Sequence, residues 1–349
     1  MSLAKIFGND WTEFIENWCA GAIPTTDQVT TELGLNTLLQ FWPDYVQKIA
    51  NNPTKGLLTI SHAVRIGLIL EACKSLNGFE KILQRIKSGE SSALSELKFT
   101  ERLLSVGLLP QLEPALNGKL LDTKLTYNNE EVYFEVITPE TSEATKEAVL
   151  QIEEFATELL TTVAGKRVEV FFFQDLTSEI REMVMLRIKK PQNANGRFEI
   201  PDIAIITIQD EPFDFTITPQ TEKKDSAVIN VAKITNTLDQ KTMAIVRLCI
   251  TDSRGKRLLS SELHHFSKDN INILVMDVTK VTEGINKWMR IIEGCLQPNQ
   301  NRRFSAVLFF SESFYSDKLG IKQMWNQIIN EHSYKKVPKG LLEMIVSNG

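Results

Sequence analysis

The chain has 349 residues, 42% of them hydrophobic and 24% charged, with 12 prolines. That composition suits a globular protein and excludes a fibrous or disordered one, and no apolar run approaches the roughly 20 residues that cross a bilayer. A formal net charge of −5 argues against a protein that binds nucleic acid with its whole surface, because such proteins are usually basic.

Residues 1–50 hold two lysines (Lys5 and Lys48) and six acids, a balance of −4, so the remainder is near neutral. A nucleic-acid partner would therefore need a local basic groove; a protein partner is equally compatible, and a membrane is not expected. The N-terminal stretch MSLAKIFGNDWTEF lacks a basic start followed by an apolar core, so no secretion signal is expected. Cys19, Cys73, Cys249 and Cys295 are far apart and form no CxxC pair. Their spacing argues against a zinc ribbon or disulfide scaffold and for a reducing, cytoplasmic setting.

In chain order, residues 10–90 read as helical. WTEFIENWCAGAI places Trp11, Phe14, Ile15 and Trp18 at helical spacing, and LLTISHAVRIGLILEACKSL is a longer apolar helix ending at Asn77-Gly78. GFEKILQRIKSG is a short amphipathic helix. Ser91–Ser95 reads as a capping segment, and Glu96 opens the helix ELKFTERLLSVG, which stops at Gly107, where a left-handed cap suits glycine.

Beyond residue 140 strands and helices alternate. Glu143–Val163 reads as a helix, VEVFFF (168–173) as a strand, TSEIREMVMLRIKK as a helix and IAIITI (203–208) as a strand. A helix is expected near Val231–Leu238, while MAIVRLCI has no decisive period. NILVMDV (272–278) and SAVLFF (305–310) have the look of central strands, with the helix INKWMRIIEGCL between them. The tail from Asp317 to Val346 reads as mostly helical. The expected class is α/β, with a mixed sheet flanked by helices and a helical N-terminal region over residues 1–90.

Between these blocks lies LLDTKLTYNNEEVYFEVITPE (120–140), which reads as a β-hairpin. Asn128-Asn129 suits a two-residue turn because asparagine tolerates positive φ. That turn pairs Asp122 with Glu135 and Lys124 with Tyr133. Alternation then puts Leu121, Thr123, Leu125, Val132, Phe134 and Val136 on one apolar face. Asp122, Lys124, Glu131, Tyr133 and Glu135 share the other. Two carboxylates across a ladder repel, so a cation should stand between them: a divalent metal held through carboxylate oxygens, or Lys124. The alternative is a solvated strand pair whose charges are simply wet, or a different register.

These residues resemble the PD-(D/E)XK nuclease superfamily, which has the restriction endonuclease-like fold. The resemblance is carried by SELKFTERLLSVGLL, then LLDTKL, then VYFEVITPE, with the later NILVMDV and SAVLFFSE similar to large bacterial members of the group. It covers roughly residues 90–310, rests on short motifs, and implies a restriction endonuclease-like core over 91–349 with a C-terminal elaboration. By this resemblance Glu96, with Glu101 as the alternative, is the helix acid; Asp122 and Glu135 are the ligands of Mg²⁺ or Mn²⁺; and the activity is phosphodiester hydrolysis of nucleic acid. Ile137 stands where the family has a lysine that helps activate water and stabilise phosphate charge. Either the lysine has migrated, with Lys124 the best-placed substitute and Lys98 behind it, or the site is degenerate and the fold serves as an interaction scaffold.

Other candidates read as structural. Adjacent histidines His264-His265 point in different directions on a helix, and His62 lies in an apolar helix. SRGKR (253–257), NRR (301–303) and KKVPKG read as solvated basic loops, and Trp11, Trp18, Phe41 and Trp42 as core. Asp175 and Asp277 lie at strand ends without a partner motif. There is no Walker loop and no GxGxxG, so no nucleotide cofactor is indicated.

Overall fold

The computed structural model describes all residues except 9, 22–27, 52–56, 117–118, 140–142, 191–194, 211–225, 237–240, 252–253, 282–283, 316–319 and 348–349. Among the described residues the protein is α/β, with twelve helices and two mixed sheets, of six and five strands, beside a two-stranded ribbon. The chain divides into two compact units, Met1–Pro139 with Leu259–Lys280 and Cys295–Gly349, and Glu140–Leu258 with Val281–Gly294.

The first unit begins with six helices: α1 (Leu3–Phe7), α2 (Trp11–Gly21), α3 (Gln28–Phe41), α4 (Pro43–Ala50), α5 (Leu57–Cys73) and α6 (Phe79–Lys87). Their core is built from Leu35, Leu38, Ile69, Leu70, Ile82 and their neighbours. Helices α3 and α5 meet at glycines: a Cβ built on Gly67 would stand 1.8 Å from the Gly34 carbonyl oxygen. The aromatic residues of this region pack among themselves, with Phe41 and Phe79 edge to face at 5.3 Å and Trp42 stacked on Tyr45 at 4.5 Å.

Helix α7 (Ser91–Ser105) starts five residues before Glu96, so the expected capping segment is itself helical. It ends as expected at Gly107, with φ +79°. The amides of Gly107 and Leu108 return to the carbonyls of Leu104 (3.0 Å) and Leu103 (2.9 Å), the Schellman closure that needs a left-handed residue.

The sheet of this unit runs β1 (Pro110–Leu112), β4 (Thr123–Tyr127), β5 (Glu130–Ile137), β11 (Ile271–Asp277), β12 (Ala306–Tyr315) and β13 (Gly320–Ile329), in that spatial order. The ribbon of β2 (Ala115–Leu116) and β3 (Lys119–Leu120) interrupts the chain between β1 and β4. Pairing is antiparallel from β1 to β5, parallel from β5 through β11 to β12, and antiparallel at β13. Asn128 and Asn129 take φ +52° and +64°, the primed turn that matches strand twist, and the register pairs Thr123 with Phe134 and Lys124 with Tyr133. Leu125, Val132, Phe134 and Val136 bury against Phe99 and Leu103 of α7 and against β11 and β12.

The expected helical tail is a strand. GIKQMWNQII pairs residue for residue with β12, from Ala306↔Ile329 to Tyr315↔Gly320, and only α12 (Leu341–Val346) is helical. The helix-favouring Lys, Gln and Met of this segment are overridden by the partner strand's open edge.

The second unit holds α8 (Glu143–Thr162), α9 (Ser178–Ile188), α11 (Gly284–Cys295) and a sheet in the order β7 (Gly196–Ile200), β8 (Ala204–Gln209), β6 (Arg167–Phe172), β10 (Lys241–Thr251) and β9 (Ser226–Asn236). Here a second correction applies. The helix expected near Val231–Leu238 is strand β9 as far as Asn236, paired antiparallel with β10, and residues 237–238 lie outside the described set. Val228, Ile229, Val231, Ile234 and Thr235 are β-branched, and that stiffness suits a pleated surface. The undecided MAIVRLCI is β10, parallel to β6.

Candidate functional site

The hairpin positions the two acids. Asp122 lies one residue before β4, a step beyond the Thr123↔Phe134 pair, and so stands across from Glu135. Its carbonyl accepts from the Glu113 amide at 3.0 Å, and its carboxylate Oδ2 accepts from the Val136 amide at 2.7 Å. Burial, followed by the charges of Glu96 and Glu135, holds the Asp122 carboxyl well above the usual carboxylate range.

Glu96 projects from α7 and is 1% exposed. The Arg85 guanidinium of α6 holds it through two bonds of 2.7 and 2.8 Å, the fork geometry for which arginine is suited, and Arg85 also pairs with Glu90. Burial still outweighs this partner and keeps Glu96 raised.

Glu135 is 8% exposed. Its Oε1 lies 2.8 Å from His265 Nδ1, and its Oε2 is buried with no hydrogen-bond partner. Burial raises this carboxyl too, against the lowering effect of His265. His265 Nδ1 is also 3.3 Å from Glu262 Oε2. Glu262 ends α10 (Arg254–Glu262), and His265 sits in the turn that follows.

The amines lie elsewhere. Lys124 Nζ is bound to Glu131 at 2.8 Å, with the Tyr133 hydroxyl donating to the same acid at 2.6 Å. Lys124 therefore neutralises Glu131 and is not brought onto the Asp122–Glu135 pair. Lys98 Nζ, two residues past Glu96 on α7, is 2.5 Å from Glu312 and 3.8 Å from Asp277. The alternative helix acid, Glu101, binds Arg65 at 2.8 Å. Half-buried Ile137 pairs with Met276 of β11 and offers no polar group.

Three participants were not expected from sequence. Arg85 and Glu262 carry no local motif, and His265, read as structural, proves to be a partner of Glu135 130 residues away in sequence. Asp277 is likewise engaged: Ser95 Oγ donates to its Oδ2 at 2.6 Å. Of the basic loops, NRR ties down backbone. Arg302 donates to His332 O at 2.8 Å and Arg303 to Leu263 O at 2.9 Å. The side chains of 254–257 and of Trp18 lie outside the described residues. Among the described residues no helix is long and apolar enough to cross a membrane.

Among the described residues, Glu135 belongs to a group of ligand atoms within 4.8 Å of one another with Glu262 and His265, and Asp122 and Glu96 lie outside that group. The Glu135 Oε2 is buried with no hydrogen-bond partner, and the Asp122 carboxyl is raised first by burial and then by the charges of Glu96 and Glu135. Oxygen donors of this kind suit hard dications. Comparisons of the chain with family models, with curated proteins and with solved structures find no match.

Proposed function

We propose that Glu96, Asp122 and Glu135 form the site of a PD-(D/E)XK nuclease-like protein that hydrolyses phosphodiester bonds of nucleic acid with Mg²⁺ or Mn²⁺. One observation carries this reading: Asp122 is fixed opposite Glu135 by the Val136 amide at 2.7 Å, while the Glu135 Oε2 is buried without a partner. A helix bearing Glu96, followed by a hairpin with Asp122 beside its first strand and Glu135 on its second, is also the arrangement on which the resemblance rests.

In this reading Asp122 and Glu135 would hold the cation, and Glu96, fixed by Arg85, would keep the local field negative around it. A bound cation would supply Lewis-acid polarisation of the phosphate and a lowered pKa for its water. The chain's own residues orient the acids: Arg85 holds Glu96, and the Val136 amide holds Asp122.

A second reading has a specific observation behind it. Ile137 offers no amine, Lys124 is committed to Glu131, and Arg85 and His265 already answer two of the acids. This is the pattern of an inactive interaction protein on the same fold. Incubation of the full chain with supercoiled plasmid and with single-stranded DNA and RNA, in Mg²⁺ or Mn²⁺, separates the two. Cleavage abolished by Asp122→Ala supports the hydrolase. No cleavage with either cation, with the variant as stable as the parent, supports the scaffold.

A further inference from the structure

Glu135, Glu262 and His265 each present one ligand atom, and these atoms all lie within 4.8 Å of one another. Only Glu135 belongs to the acid set read from the hairpin. The other two come from the end of α10 and the turn after it, more than 120 residues further along the chain.

We propose that Glu135, Glu262 and His265 form a binding site for a transition-metal dication, selecting Mn²⁺ or a similar ion over Mg²⁺. Through Glu135 the site extends the one described above, and it rests on the hydrolase reading only for what the ion would then do.

Four features support it. The donor set is mixed: an imidazole nitrogen beside two carboxylates suits Mn²⁺, Fe²⁺, Co²⁺ or Zn²⁺, whereas Mg²⁺ prefers oxygen donors and retains its waters. The buried Glu135 Oε2 has no hydrogen-bond partner, so the cluster's innermost carboxylate keeps coordinating capacity that His265 does not use. The three side chains also grade outward, with Glu135 10%, Glu262 15% and His265 41% exposed, which leaves an entry path for an ion on the histidine side.

Finally, the turn bearing the histidine is held in advance. The His265 amide donates to the Glu262 carbonyl at 3.0 Å. The Arg303 guanidinium donates to the carbonyls of Leu263 at 2.9 Å and Phe266 at 3.4 Å. Phe266 is 3% exposed and meets Phe304 edge to face at 5.4 Å. Backbone pinned on both sides of a ligand lowers the ordering cost of binding, as outer groups around metal ligands generally do.

His265 Nδ1 stands 2.8 Å from Glu135 Oε1 and 3.3 Å from Glu262 Oε2, so the three donors already converge where an ion would sit.

The test is titration of the untagged full chain with MnCl₂, followed by loss of the free-ion electron paramagnetic resonance signal, with MgCl₂ as competitor and no nucleic acid present. One equivalent of Mn²⁺ is expected to bind, and a tenfold molar excess of Mg²⁺ is expected to leave most of it in place. His265→Ala and Glu262→Gln are each expected to weaken binding about tenfold or more, while Glu131→Gln, whose carboxylate is bound to Lys124 outside the cluster, changes it less than threefold. Circular dichroism shows that the variants are folded, and His265→Asn serves as a second variant should His265→Ala fail to fold. Binding that survives loss of His265 but vanishes with Asp122→Asn, or that Mg²⁺ displaces at equal concentration, overturns the proposal while leaving an Asp122–Glu135 hydrolase standing. Mn²⁺ binding that depends on His265, in a protein that cleaves no nucleic acid, supports this site and removes the hydrolase reading.

Discussion

The carboxylate of Asp122 accepts a 2.7 Å hydrogen bond from the backbone amide of Val136. The bond crosses the open end of the hairpin, where the ladder has already stopped at Thr123↔Phe134. A side chain here replaces a backbone rung, and it holds an acid beside Glu135 although the like charges oppose that placement.

Asp122→Asn keeps an oxygen for the Val136 amide and removes the charge. The Asp122 carboxyl is raised by burial and by Glu96 and Glu135, so its folded pKa lies above the unfolded value. A raised group contributes stability that is full below the unfolded pKa and lost as pH rises through the folded one. At pH 8 in EDTA the variant is therefore expected to be more stable than the parent. The gain should shrink toward pH 4. Urea unfolding at the two pH values measures it, and a variant less stable at pH 8 would contradict the charge argument.

Arg85→Ala leaves Glu96, at 1% exposure, without its bidentate partner. Removing one member of a buried pair costs about 3 kcal/mol or more, and the urea midpoint should fall accordingly. The double variant Arg85→Ala/Glu96→Leu should recover most of the loss, because the stranded charge is gone.

Glu312 shows the opposite sign. Burial pushes its carboxyl up, but Lys98 at 2.5 Å and Arg65 at 3.5 Å more than offset this and hold it below the ordinary value of 4.5. A depressed carboxylate contributes stability above the unfolded pKa and loses it as pH falls through the folded one. Glu312→Gln is expected to destabilise the protein at pH 7 by about 3 kcal/mol, with the difference narrowing below pH 4. Parallel thermal melts of parent and variant from pH 3 to 7 would show whether it narrows.

Gly67→Ala brings a Cβ to 1.8 Å from the Gly34 carbonyl oxygen, and backbone cannot yield there as a flexible side chain can. Separation of α3 from α5 should cost at least about 2 kcal/mol. Gly89→Ala, where a Cβ meets nothing within 4 Å but φ is +89°, should cost only the left-handed strain of about 1 kcal/mol. Equal losses in the two variants would refute the close-contact account.

Much of the fold was legible because its signals are local. Asn128-Asn129 set the turn and hence the hairpin register, and Gly107 set the end of α7. The misread elements are those whose conformation depends on a distant partner. Strand β13 carries helix-favouring residues and is extended by β12, and β9 lies along β10 despite a helix-like spacing. Among the site residues, Asp122 and Glu135 could be paired by counting from the turn. His265 could not be paired with Glu135, since only the β5–β11 pairing brings residues near 135 and 265 to the same place.

The sequence alone determined the α/β class, the hairpin, the facing acids and the isoleucine in place of a lysine, because turn chemistry and side-chain alternation act over a few residues. The tertiary structure decided which cations answer those acids. Arg85 went to Glu96, Lys124 to Glu131, Lys98 to Glu312 and His265 to Glu135, and the Glu135 Oε2 was left buried without a partner. Charge pairing is settled by distances across elements far apart in the chain, and no local pattern records it.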